Sequence, residues 1–313
     1  LTKKKLTKKK LTKKKLTKKK LTKKKLTKKK LTKNKKPIVD FKELNCSPSK
    51  KLNFTCYDNG ELNRLKTSWN SYYPNNKILT NNNKKIWNFL QKKLINHCDT
   101  EQCWLKQDFM NNRLTNKLLT NTFAPKSPDS WKTNPNEWLS SEDIIKVMKQ
   151  YEHAYPEFKF IGPSPIDFDY KKGFGQCVWN ELCNLDIKKL KNNNINKIGI
   201  MLNTDTHDLG GSHWICIFID LNKKHVFSFD SNADETPKQI IELFRRIRRQ
   251  AKSIGIKLQF YENTTEHQKS NTECGVYCLF TIIQLVTNNM NLKDFDNRVP
   301  DSFMTLLRKK IYN

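Results

Sequence analysis

His213, Asp230, Gln268 and Cys274 follow one another along the chain, inside Gly211-Ser212-His213-Trp214, Phe229-Asp230-Ser231 and Gln268-Lys269-Ser270-Asn271-Thr272-Glu273-Cys274-Gly275. These are the side-chain types that thiol-dependent acyl transfer requires. A cysteine thiol is mostly protonated at neutral pH. A nucleophilic one therefore needs a base, a group that orients the base, and donors for the oxyanion of the tetrahedral intermediate. Cys274 fits the nucleophile, His213 the base and Asp230 the orienting carboxylate, while Gln268 and the Cys274 backbone N–H fit the oxyanion donors. The expected chemistry is that of a cysteine peptidase.

The elements that must hold these residues can be read around them. Trp214 to Ile219 is a continuous apolar run and Val226-Phe227-Ser228-Phe229 alternates, which predicts two short strands joined by a turn at Leu221-Asn222-Lys223-Lys224. His213 opens the first strand and Asp230 closes the second. In an antiparallel pair the start of one strand lies beside the end of the next. The carboxylate then reaches one imidazole nitrogen and leaves the other facing the thiol. Cys274 and Gly275 precede the apolar stretch Val276 to Leu285, long enough for a buried helix. The dipole and the unpaired N–H groups at a helix start favour a thiolate and supply half of an oxyanion hole. Gln268, on the loop leading in, supplies the other half.

His-Trp, then Asp, then a Gln six residues before Cys-Gly resembles the signature of the SUMO-specific (Ulp-type) cysteine proteases. The signature is shared by their viral branch, which includes the adenovirus protease and the African swine fever virus polyprotein protease, and only the latter is similar further upstream, at Phe89-Leu90-Gln91-Lys92-Lys93 and around Cys98 to Cys103. The resemblance implies an α+β, adenain/Ulp-like cysteine-protease fold with a central mixed sheet flanked by helices. It also implies that Trp214 helps wall a narrow cleft admitting Gly-Gly, the other reading of Trp214 being a core aromatic. Some viral relatives carry Asn where Asp230 stands, so the orienting residue is the more variable member.

Each residue also has a plainer reading. A histidine beside a tryptophan can simply be packed, and Cys-Gly before an apolar helix can be a buried structural thiol; the joint order and the Gln spacing carry the catalytic reading. Gly175-Gln176-Cys177-Val178-Trp179 superficially resembles a papain-type cluster. Gln176 is adjacent to Cys177 and cannot easily turn back onto it, however, and His213 and Asn232 follow too closely for that fold. Cys177 and Cys183 are expected to be small core residues. Nine scattered cysteines predict reduced thiols in a cytosolic setting rather than a disulfide scaffold. His97, Cys98 and Cys103 are too loosely spaced for zinc, and no metal or cofactor is called for.

Composition bounds the rest. No stretch of eighteen apolar residues and no secretory leader is present, which predicts a protein neither secreted nor membrane-spanning. The opening on Leu1 rather than Met suggests that a few residues precede it. Residues 1–36 repeat Leu-Thr-Lys-Lys-Lys and hold 21 lysines and no acid, out of a net charge of +30 for the chain. Leucine every fifth residue builds no apolar stripe on a helix, so this tail is expected to be disordered. It reads either as low-complexity expansion or as a nonspecific nucleic-acid tether.

Residues 37–128 read as an accessory helical arm, with helical patterns over 86–95 and 114–119, and residues 129–313 as the catalytic domain. In the latter, Ser140 with Asp143 predicts a helix N-cap. After that helix, strands are expected near 158–161, 198–202 and 256–261, and helices over 177–190 and 238–253. Arg245, Arg246, Arg248 and Arg249 read as a solvated face or a contact for nucleic acid or acidic substrate. The reading as a whole is a cysteine endopeptidase cleaving after Gly-Gly. Its substrate is a viral structural polyprotein, cut in the virion or in the viral factory of the host cytoplasm, or a SUMO- or ubiquitin-like modifier. The non-enzyme alternative is a basic core protein that packages nucleic acid.

Overall fold

Asp58 accepts a hydrogen bond from the Glu61 N–H while the Glu61 carboxylate accepts from the Asp58 N–H. This reciprocal cap starts α1 (Asn59–Tyr72), the first helix in a computed structural model that describes residues 45–50 and 54–313. The Lys-rich repeat lies outside the described residues. Leu62, Leu65 and Trp69 of α1 pack on Ile86, Trp87 and Leu90 of α2 (Asn83–Leu94). The short α3 (Glu101–Trp104) and α4 (Asn112–Thr122), with Phe123 behind it, complete that apolar cluster. α2 and α4 fall on the two helical patterns read in the sequence. The sequence reading does not anticipate α1, although Asp58 with Glu61 and the apolar spacing of Leu62, Leu65 and Trp69 signal it.

α5 (Ser141–Ala154) begins at the expected Ser140–Asp143 cap and buries Ile144, Val147, Met148 and Tyr151. It leads into β1 (Phe158–Pro165), α6 (Asn180–Cys183), α7 (Ile187–Asn192), β2 (Lys197–Asn203), β3 (Trp214–Asp220) and β4 (His225–Phe229). α8 (Lys238–Ser253), β5 (Gln259–Glu262), α9 (Cys274–Val286) and α10 (Asp301–Ile311) follow. The strands form one mixed sheet in the order β1-β2-β3-β4-β5, parallel at both outer pairs and antiparallel for β2, β3 and β4.

Side chains alternate between the faces of a strand, and β3 is covered on both. Cys216 and Phe218 join α9 and α5 on one side, whereas Ile215, Ile217 and Ile219 join Ile240, Leu243 and Ile247 of α8 on the other. That two-sided burial is why β3 reads as a continuous apolar run. α9 is the central helix, burying every residue but Gln284. Shortening one of its large side chains is expected to cost about 2–5 kcal/mol.

Three expectations need correction. Six cysteines pair, as Cys46–Cys56, Cys98–Cys103 and Cys177–Cys183, leaving Cys216, Cys274 and Cys278 free. The partners lie 10, 5 and 6 residues apart, on local loops that bring their Cα atoms to 5.2, 5.4 and 6.3 Å. Those distances are within bridging reach, which an odd cysteine count could not reveal. Arg246 does not share the solvated face of its neighbours, because its guanidinium lies over Phe168 and donates to the Leu182 carbonyl. The stretch 177–190 is two short helices, broken at Asn184-Leu185-Asp186, and the sequence reading does not anticipate α10 beyond α9.

Candidate active site

The β3–β4 ladder pairs Cys216 with Phe229 and Asp220 with His225. Residues 213 and 230 therefore flank the open end of the pair on adjacent strands. His213 Nε2 lies 2.8 Å from Asp230 Oδ1, and the remaining ring nitrogen is left for the Cys274 side chain, with which His213 also interacts. Burial disfavours the charged imidazole. Hydrogen bonds and charge from Asp230 and Cys274 outweigh that penalty and push the His213 pKa up to about 10.

The loops on either side are pinned. Asn203 at the end of β2 accepts from the N–H groups of Asp205 and Ser212 at 3.0 and 3.1 Å, and the Thr204 N–H donates to the His213 carbonyl. Gly211 has φ +88° and presses on Asn203, whose amide nitrogen would lie 2.9 Å from an added Cβ. A side chain there meets both a strained backbone and a collision. Across the site, Asn263 accepts from the Asp230 N–H and donates to the Asp230 carbonyl, both at 2.8 Å, fixing the carboxylate's main chain.

Gln268 is buried and oriented at both ends. Ser231 Oγ donates to its Oε1 at 3.0 Å, and its Nε2 donates to the Ser270 carbonyl at 2.7 Å. An amide nitrogen carries two hydrogens, so one donor remains. Beside it, His267 is wholly buried, accepting from the Val299 N–H and contacting the Phe295 carbonyl through its other nitrogen. That pairing fixes a neutral ring, and burial lowers its pKa.

Cys274 is the first residue of α9, and no side chain caps that helix start. Its first-turn N–H groups are therefore not claimed by a capping residue. His213, Asp230, Gln268 and Cys274 all line one cleft of about 400 Å³, together with Trp138. Trp214 borders the adjoining groove instead, and its indole donates to the Leu139 carbonyl at 3.1 Å.

Residues 184–313 match the Ulp1 protease family, C-terminal catalytic domain. The chain is also 30% identical over 284 residues to a protein of Acanthamoeba polyphaga mimivirus whose name is "Putative thiol protease R355", covering 82% of this chain and 88% of that one. The chain belongs to the Ulp1 protease family. This Ulp1-family protein is thus a cysteine peptidase. It is 26% identical over 245 residues to the SUMO-1 cysteine protease of African swine fever virus, covering 73% of this chain and 88% of the relative. The crystal structure of the African swine fever virus protease has the same fold, with a TM-score of 0.62 at 22% identity, covering 86% of this chain and 95% of that one.

Sequence reasoning missed three residues that line or brace the candidate cleft. Trp138, to which the sequence reading assigned no role, is 45% exposed and donates from its indole to the Asn271 carbonyl at 2.8 Å. Asn203 and Asn263 gave no distinctive signal in a chain rich in asparagine: Asn203 is bonded to the nearby N–H groups of Asp205 and Ser212, as many loop asparagines are, and the main-chain partner of Asn263 is Asp230, distant in sequence. Cys177, the papain-like alternative, is bonded to Cys183 and does not line the cleft.

Proposed function

We propose that the chain is an endopeptidase that cleaves after Gly-Gly, with Cys274 as nucleophile, His213 as base and acid, and Asp230 orienting His213. Gln268 Nε2 and the Cys274 backbone N–H hold the oxyanion. The observation that carries this reading is the shared cleft. In it His213 is bonded to Asp230 on one nitrogen and engages Cys274, and Gln268 keeps one donor unspent.

The Cys274 sulfur attacks the scissile carbonyl carbon while the thiol proton resides on His213. The C–N bond breaks as His213 returns that proton to the leaving nitrogen, giving a thioester and a free amine. Water then attacks the thioester with its proton passing to His213, and the carboxylate product and the thiol are released. The exposed indole of Trp138 on one side, and Trp214 bordering the adjoining groove, favour residues without side chains at the approach to Cys274.

Viral structural polyproteins are the proposed substrates, processed in the virion or in the viral factory of the host cytoplasm, and the helical arm and Lys-rich tail support this over modifier removal. The name of the African swine fever virus relative favours a second reading, an isopeptidase acting on SUMO-like modifiers. The test is a pair of probes offered to wild type and Cys274→Ala: a ubiquitin- or SUMO-like protein bearing a C-terminal electrophile, and a peptide ending in Gly-Gly and a fluorophore. Cleavage of the short peptide with no capture of the folded modifiers supports polyprotein processing. Preferential capture of a folded modifier supports the isopeptidase, and no Cys274-dependent reaction with either removes both readings.

A further inference from the structure

Arg308, on α10, is 2% exposed, and its guanidinium is committed to the two segments that flank Cys274. Its Nε and Nη2 lie 3.1 and 3.0 Å from Glu273 Oε2, and Nη2 also donates to the Thr272 carbonyl at 3.3 Å. Its Nη1 donates to the Glu137 carbonyl at 2.5 Å. The plane of the group lies over the Trp131 ring, 4.7 Å from its centre. Glu273 immediately precedes Cys274, and Glu137 immediately precedes Trp138, whose indole reaches across to Asn271. One side chain thus ties the loop that delivers the nucleophile to the segment that carries the exposed cleft tryptophan.

We infer that Arg308 is a positioning residue, a clamp behind the cleft that sets the distance between Trp138 and the Asn271–Cys274 loop. A planar guanidinium can hold a carboxylate and two carbonyls in fixed directions at once; an ammonium on a flexible stem cannot. The arrangement is specific to this purpose in its parts. Glu273 is itself 2% exposed, and burial raises its pKa against the opposing pull of Arg308. Without Arg308 a carboxylate is stranded one residue before the nucleophile, and a buried charge that has lost its partner displaces its surroundings or takes up a proton. The catalytic pair at His213 and Asp230 touches none of these groups, so the clamp acts on the cleft's width and not on the proton transfer.

The inference rests on the Cys274 reading for one of its readouts, and the experiment separates the two. Arg308→Lys is compared with wild type in alkylation of Cys274 by iodoacetamide, turnover of the Gly-Gly peptide, and hydrogen exchange of the amides at 131–139 and 270–274. The clamp predicts alkylation within about 3-fold of wild type, kcat/KM for the peptide lower by 10-fold or more, chiefly through KM, and faster exchange in both segments with the β3–β4 amides unchanged. Trp131→Leu removes the ring beneath the guanidinium but none of its hydrogen bonds. It shifts the same readouts by a smaller factor and serves in place of Arg308→Lys should that variant not fold. Unchanged exchange in the two segments, or alkylation and turnover falling together, overturns the clamp. If wild type itself leaves the peptide intact, the proposed function fails and the exchange and alkylation results still decide the role of Arg308.

Discussion

His213 carries the largest electrostatic consequence in the site, because its neighbours hold its charge far above the usual imidazole range. A histidine whose folded pKa is raised contributes stability that is fully present below about 6.5, its unfolded value, and is lost as pH rises toward about 10. If His213 is the acid that protonates the leaving nitrogen, the same charge sets the alkaline limb of peptide turnover. Asp230→Asn keeps an acceptor for Nε2 but removes the negative charge, so the alkaline limb of peptide kcat/KM is expected to move down by at least about one pH unit; an unmoved limb would show that Asp230 does not set the His213 charge. Gln268→Ala removes a donor and leaves His213 untouched. Peptide kcat is expected to fall by roughly 10²-fold with alkylation preserved, the size seen when one oxyanion donor is lost. At this scale the four residues that line one cleft could be picked out because residue type and order single them out. Trp138 and Asn263 could not, since only the fold brings their main-chain partners Asn271 and Asp230 near, and Asn203 could not, because its bonds to the N–H groups of Asp205 and Ser212 are those of an ordinary loop asparagine.

Elements were legible where burial is two-sided or a cap is local. β3 and α9 read as unbroken apolar runs, and Ser140 with Asp143 marks the start of α5. α10 escapes such a reading because its buried positions, Met304, Arg308 and Ile311, include an arginine that reads as surface. The disulfides escape it because pairing depends on loop geometry. Helix α5 is also tied to the residues around Ser47 and Phe123 by a buried amide. Gln150, 2% exposed, donates to the Thr120 and Phe123 carbonyls at 2.7 and 2.8 Å and accepts from Ser47 at 2.6 Å. Gln150→Leu strands these groups, and urea denaturation is expected to show a loss of about 1–3 kcal/mol per buried group left unpaired. A loss below about 0.5 kcal/mol would mean that the arm does not depend on this amide.

For the whole molecule, charge is the dominant feature, and much of it lies in residues 1–36, beyond the described structure. If that segment tethers the enzyme to polyanions, DNA affinity is expected to fall steeply with salt. Deleting residues 1–36 should flatten the plot of log affinity against log salt by about 0.9 for each phosphate that the segment neutralises; equal slopes with and without the segment would leave it without a tethering role. Whether Cys274 in the cleft is the nucleophile is decided by intact-protein mass spectrometry after exposure to a Gly-Gly peptide electrophile. A single adduct mapped to Cys274 is expected, absent in Cys274→Ala and slowed by roughly 10²–10⁴-fold in His213→Ala. Labelling of Cys274 at the wild-type rate without His213, or preferential labelling of Cys216 or Cys278, would contradict it.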